Sequence, residues 1–194
     1  YLTTGFVKDQ KSGRWVYGLP GKSTSTIHDL GKAATNQGVV VDGEMRAFDY
    51  QGYYTSRWWG GENGTLTMNG QSNFMYIDKS VQAIWVVRNG SVVGAAPIVT
   101  GDVLRRMQTS SGNFRVLAKS MWTVLSGPGY SSSVKYWMPF TGSGHGVHDS
   151  SSWRAQYGGN LYYNSGSHGC VNVPRSVVDA FWPYVYVGMP IIIR

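Results

Sequence analysis

The sequence predicts a mainly β (α+β) domain with one flanking C-terminal helix, and three observations carry that prediction. Only 14% of residues are charged while 26 of 194 are glycine, a balance that suits turn-rich sheet and excludes a coiled coil. From Phe74 onward, short apolar runs alternate with Gly-rich punctuation. Helical spacing is found near the end, where Val177, Val178, Phe181 and Trp182 recur on one face.

Taken in order, Phe74–Asp78 and Gln82–Arg88 read as two strands joined to a third, Ser91–Thr100, through Asn89-Gly90. That dipeptide predicts a type I′ hairpin turn, because both central residues must take positive φ. Asn113–Lys119, Met121–Leu125 and Lys135–Phe140 continue the β pattern. The helix is expected to open at Pro174, where a missing N–H costs nothing, and to end at Pro183 or Gly188. Pro190–Ile193 then reads as a closing strand.

Residues 1–72 differ in character: they are polar, rich in Gly, Ser and Thr, and carry the aromatic pairs Tyr53-Tyr54 and Trp58-Trp59. Val39–Val41 followed by Asp42-Gly43 suggests a strand and turn, and Gly5–Asp9 followed by Arg14–Tyr17 forms a weak repeat of a style found in wall-binding modules. These residues are expected to form an N-terminal extension or small accessory, wall-associated module, leaving 73–194 as the main domain.

A net charge of +7 and a pI near 9.5 favour an anionic partner or surface. Nucleic acid is not expected, since no helix-turn-helix, zinc-finger or RRM pattern is present. An anionic wall polymer fits as well, and so does a solvated basic surface without a specific partner. No run reaches the ~18 apolar residues a membrane span needs, and no signal peptide is present. The chain opens at Tyr1, which reads as a mature or trimmed fragment.

The chemistry is concentrated in one window. His145, His148, His168 and the single cysteine, Cys170, fall within 26 residues. A thiol beside an imidazole is a nucleophile with its own base: the ring accepts the proton and the sulfur attacks an acyl carbon. Cys170 sits in Ser167-His168-Gly169-Cys170-Val171-Asn172, about three residues before the expected helix, whose positive N-terminal end would lower the thiol pKa. Gly169 removes bulk beside the sulfur, so the N–H groups of Gly169 and Cys170 are candidates for an oxyanion hole.

This hexapeptide, preceded by His148 with eighteen residues between it and Ser167, resembles the signature of the L,D-transpeptidase family. Phe74–Gly101 is similar to that family's opening hairpin and Gly188–Ile193 to its closing turn and strand. Gly146–Asp149 with Tyr157-Gly158-Gly159 resembles its Gram-positive branch. The resemblance covers residues 73–194 and implies a β-sandwich-like domain acting on peptidoglycan at the bacterial cell surface. It implies that Cys170 attacks the third residue of a donor tetrapeptide stem and expels D-Ala. An acceptor stem then forms a 3→3 cross-link, or water completes an L,D-carboxypeptidase reaction. It further implies His148 as base, with Ser167, His168, Gly169, Asn172 and Tyr130 shaping the site or the oxyanion region, no metal or other cofactor, and acylation by carbapenems. One departure is Thr109-Ser110-Ser111-Gly112, where the family's Thr-Pro-x-Gly proline is missing.

Two rivals come from other classes. Three His and one Cys could serve a zinc-dependent wall hydrolase, although their spacing fits no common zinc pattern. A non-catalytic wall-binding module could use Tyr54, Trp58 and Trp59 as a glycan platform. Within the window, His145 is expected to be structural, because positions 145 and 148 on an extended strand face opposite ways. Asp149 is expected at the surface or in a turn, with a backbone carbonyl orienting His148.

Overall fold

A computed structural model describes residues 67–68, 70–127 and 129–194 with their side chains, and from the earlier stretch the backbone of five strands. Those strands are β1 (Gly5–Lys8), β2 (Trp15–Gly18), β3 (Gln37–Val41), β4 (Glu44–Phe48) and β5 (Tyr54–Gly60). β1 and β2 pair as an antiparallel hairpin, so the two halves of the suspected repeat are partners in one ladder. β3 contains the expected Val39–Val41 run and forms a sheet with β4 and β5. Tyr54, Trp58 and Trp59, whose side chains would make the glycan platform, lie outside the described side chains.

The remaining chain is a two-sheet sandwich. The first sheet, in spatial order, is β8 (Ser91–Pro97), β7 (Ala83–Arg88), β6 (Phe74–Asp78), β14 (Pro190–Ile193) and β9 (Gly112–Arg115). The second is β10 (Ser120–Gly127), β11 (Tyr130–Pro139), β12 (Gly146–Asp149) and β13 (Val171–Val173). Two short helices accompany them, α1 (Leu161–Asn164) and α2 (Arg175–Phe181).

β6 and β7 read as unbroken apolar runs because both of their faces are buried. Met75, Ile77, Ile84 and Val86 point into the core between the sheets, while Phe74, Tyr76 and Trp85 form a second cluster on the opposite face. The second sheet contributes Met138, Val147, Val171 and Val173 to the central core, and α2 contributes Val178 and Phe181. Between β7 and β8, Asn89 and Gly90 take φ of 50° and 75°, the primed turn expected from the dipeptide.

Several boundaries differ from the sequence expectation for physical reasons. Pro174 is the N-cap (φ −57°, ψ 133°), so α2 opens one residue later. The helix tightens into a 3₁₀ turn at Trp182–Tyr184, where Pro183 has no N–H to continue the α ladder. β8 stops at Pro97, and beyond it Val99 and Gly101 make single bridges to Asn172 and Ser167. β13 and α1, of three and four residues, are too short to leave a periodic signal.

Phe181 anchors α2: it is fully buried, and its ring lies so close to Gly94 that a Cβ there would fall 2.9 Å from it. Phe181→Ala is expected to cost about 3–5 kcal/mol in urea unfolding. A stability loss below ~1 kcal/mol would mean that α2 is not held by this contact.

Candidate active site

Parallel pairing of β12 with β13 sets the frame. Val147 is opposite Val171 and His148 is opposite Asn172, which puts Cys170 one step before the ladder begins. A groove of about 530 Å³ opens at this edge, and His148, Ser167, His168, Cys170 and Asn172 all line it together with Tyr130.

The turn carrying Cys170 is fixed by short polar contacts. The Ser167 hydroxyl donates to the Cys170 carbonyl (2.6 Å) and accepts from the Gly169 N–H (3.2 Å). The Thr109 hydroxyl donates to the Gly169 carbonyl (2.9 Å) and accepts from the Gly101 N–H (2.9 Å). Thr109 therefore joins the motif to a distant loop. It makes both contacts although the proline of the family-like segment is replaced by Ser110. Buried Asp102 ties down the same loop, accepting from the Gly166 N–H (3.1 Å) while its own N–H donates to Ser167 (2.9 Å). Gly169 is obligatory: its φ is +102°, and a Cβ there would meet the His145 ring at 2.5 Å. That contact also accounts for His145, whose ring packs behind the turn and does not line the groove.

Two expectations about Cys170 need correction. A β strand, β13, separates it from α2, so the thiol is not seated at a helix N-terminus. Burial pushes the thiol up to about 11 from an ordinary 9.0, opposed only in part by the Gly146 N–H that faces the sulfur. The resting group is a protonated thiol. Furthermore, the Gly169 N–H is already engaged by Ser167, which leaves the Cys170 N–H as the candidate oxyanion donor of the two.

His148 is buried, and its Nδ1 lies 2.9 Å from the backbone carbonyl of Asp149. A carbonyl can only accept, so Nδ1 carries the proton and Nε2 of the neutral ring is left as an acceptor. Burial holds the imidazole below its ordinary 6.5, against the pull of Asp149 and with some help from nearby Arg154. Asp149 is not a surface or turn acid, as its type suggested. It is fully buried in β12, where its carboxylate accepts from the Tyr136 N–H (2.8 Å) and from Nε of Arg175 (2.8 Å). The side chain thus clamps β11 and α2 onto the strand whose carbonyl orients His148.

His168 stacks face to face on Tyr130, with ring centroids 4.5 Å apart and planes at 16°. Tyr130 opens β11 at the tip of the β10–β11 hairpin, which brings Thr123 and Leu125 over the groove. Asn172 is pinned to Val99 by two backbone hydrogen bonds, and its buried Oδ1 has no protein partner. Trp137 and Trp153 flank His148 at 5.9 and 6.0 Å between centroids. Both tryptophans and Arg154 line the groove, and none was singled out from sequence, where an isolated Trp or Arg carries no positional signal. Among the described residues, no three His, Cys, Asp or Glu side chains converge as metal ligands. The histidines diverge instead: one behind Gly169, one on Tyr130, one on the Asp149 carbonyl.

The profile of the YkuD family, the L,D-transpeptidase catalytic domain, matches residues 72–193. The chain belongs to that family. It is similar to the Ldtfm–avibactam carbamoyl enzyme, with 35% identity over 64% of this chain and 49% of that one, at a TM-score of 0.60. It is also similar to the catalytic domain of the Enterococcus faecium L,D-transpeptidase, with 34% identity over 66% of this chain and 100% of that one (TM-score 0.58). A cysteine-to-serine mutant of the Enterococcus faecium L,D-transpeptidase is 25% identical over 92% of this chain and 74% of that one (TM-score 0.61). The chain therefore spans about half the length of the first of these (49%). No curated protein matches it. The two-sheet fold and its flanking helix are those expected of an L,D-transpeptidase domain. Among the described residues, no helix is long and apolar enough to cross a membrane.

The two shifted groups give the domain a pH signature. His148 binds its proton less readily folded than unfolded, so stability is lost as pH falls below the unfolded value of about 6.5. Cys170 holds its proton more tightly folded, so stability is lost as pH rises from 9.0 towards about 11. Urea midpoints are expected to fall on both sides, with limiting slopes of up to about 1.4 kcal/mol per pH unit for each group. Cys170→Ser should flatten the alkaline limb and His148→Gln the acid limb; unchanged limbs would contradict these environments. Asp149→Asn, which discharges the buried clamp, is expected to cost about 2–3 kcal/mol and to slow turnover by loosening the Asp149 carbonyl that orients His148.

Proposed function

We propose that this chain is a peptidoglycan L,D-transpeptidase in which Cys170 is the nucleophile and His148 the base. One observation carries the reading: both residues line a single groove at the mouth of the β12–β13 ladder, with the acceptor nitrogen of His148 left free by the Asp149 carbonyl.

With a thiol raised to about 11 and a neutral imidazole, the resting pair is uncharged. The thiol proton passes to Nε2 of His148 as the sulfur attacks the carbonyl of the third stem residue. Negative charge on the resulting tetrahedral oxygen is met by the Cys170 N–H, with Tyr130 and His168 beside it. Collapse breaks the peptide bond; the leaving amine of D-Ala takes the proton from His148, and the acyl group remains on sulfur as a thioester. An acceptor amine then loses its proton to His148, attacks the thioester and returns the thiolate, which recovers that proton. The product is a 3→3 cross-link. Water in place of the amine gives L,D-carboxypeptidase activity. Ser167, Gly169 and Asn172 hold the turn in register for these steps.

The same reading makes 73–194 the catalytic domain and 1–72 an extension or wall-associated module, working at the bacterial cell wall on donor and acceptor stems. The basic charge suits anionic wall polymers as a second contact. One structure of the Enterococcus faecium catalytic domain is acylated by ertapenem, which supports Cys170 as a carbapenem target here.

Intact mass after incubation with a carbapenem is expected to show one covalent adduct on Cys170, and none in Cys170→Ala. Cys170→Ala should abolish release of D-Ala from a tetrapeptide stem, and His148→Gln should slow it by about 10²–10⁴. Turnover that survives loss of the thiol would overturn the assignment.

A further inference from the structure

Arg154 lines the groove beside His148. Among the described residues lining the groove there is no Asp or Glu to meet its charge. One guanidinium nitrogen donates to the Ser165 carbonyl (2.8 Å), which fixes the head group against the segment leading into the Ser167 motif. Its Nε is buried and has no hydrogen-bond partner. The ion pairs among the described residues join other arginines and lysines to other carboxylates: Arg105 to Asp102, Lys135 to Asp179, Arg175 to Asp149.

A half-buried guanidinium with no carboxylate among the described residues lining its groove is costly unless an anion takes that place. The planar fork of an arginine matches the paired oxygens of a carboxylate or phosphate, and the stem's anionic groups are carboxylates. The surroundings sharpen the case. Trp153, the adjoining residue, is 45% exposed and presents an apolar ring at the groove. Burial pulls the guanidinium below its ordinary value, partly offset by Tyr157, which marks a site short of water. Arg154 is also near enough to His148 to disfavour protonation of the imidazole. An anion seated on Arg154 would relieve that repulsion when His148 must accept a proton.

We infer that Arg154 is a specificity-determining residue that binds a free carboxylate of the donor stem. This rests on the function proposed above. A tetrapeptide stem ends in one carboxylate and can carry others on its second and third residues. Whichever of these Arg154 receives, the enzyme should favour the acid over its amide at that position. The contact would also orient the scissile carbonyl towards Cys170. Arg154 is a binding group here and transfers no proton.

The test compares synthetic tetrapeptide stems amidated at one carboxyl at a time, on the second residue, the third residue and the terminus, with the all-acid stem. Release of the fourth residue, or of its amide, is the readout. For the wild type, amidation at one position is expected to lower kcat/KM by about 10- to 100-fold, the range of a charge-assisted hydrogen bond. In Arg154→Gln that preference should vanish, and Arg154→Lys should restore part of it. If Arg154 only supports Ser165, Arg154→Gln will slow all four stems equally and the acid–amide ratios will not move; that result overturns the inference. Equal rates on all four stems with the wild-type enzyme overturn it as well, whether or not the variants fold. Failure to turn over any stem, with no adduct on Cys170 from a carbapenem, would instead sink the proposed function.

Discussion

The short parallel ladder between β12 and β13 is the interaction on which the site depends. Three pairs of residues, from Val147–Val171 to Asp149–Val173, carry it. Parallel pairing keeps both chains running the same way, so residues at the start of each strand share one sheet edge. His148 enters from one strand and Cys170 precedes the other. Val147, Val171 and Val173 are fully buried, which fixes the register, since a slip of one residue would turn these side chains out of the core. The same alternation aims His148 and Asn172 at the groove.

Around this ladder the protein uses backbone and hydroxyl groups where charges would have been costly. Asp149 orients His148 through its carbonyl, while its carboxylate is spent on Arg175 and the Tyr136 N–H. Ser167 and Thr109 hold the carbonyls of Cys170 and Gly169. The result is a low-dielectric pocket in which neither the thiol nor the imidazole is charged at rest. Where sequence suggested a thiol lowered by a helix dipole, the structure has a neutral pair, and in the proposed mechanism its proton moves as the new bond forms. Burial raises the thiol and lowers the imidazole, so both shifts favour that neutral state. The groove is built in the same economical way, with aromatic walls from Trp137, Trp153 and Tyr130 and, among the described residues, a single fixed charge at Arg154.

Sequence alone determined the architecture and the chemistry-bearing window. Asn89-Gly90 specified its turn because positive φ at two successive residues admits few alternatives. β6 and β7 were legible because burial on both faces demands unbroken apolar runs. Cys170, His148 and the hexapeptide around the sulfur were legible because the residue types are rare and adjacent. Tertiary structure decided what no local pattern encodes. It turned Asp149 from an expected surface acid into a buried clamp, drew Thr109 to the Gly169 carbonyl from 60 residues away, and set Arg154 in the groove with no Asp or Glu among the described residues lining it. Secondary-structure periodicity arises from contacts a few residues apart and so survives in the one-dimensional text. Desolvation, hydrogen-bond partnership and the pKa of a group arise from neighbours distant in the chain, and these exist only once the two sheets have closed.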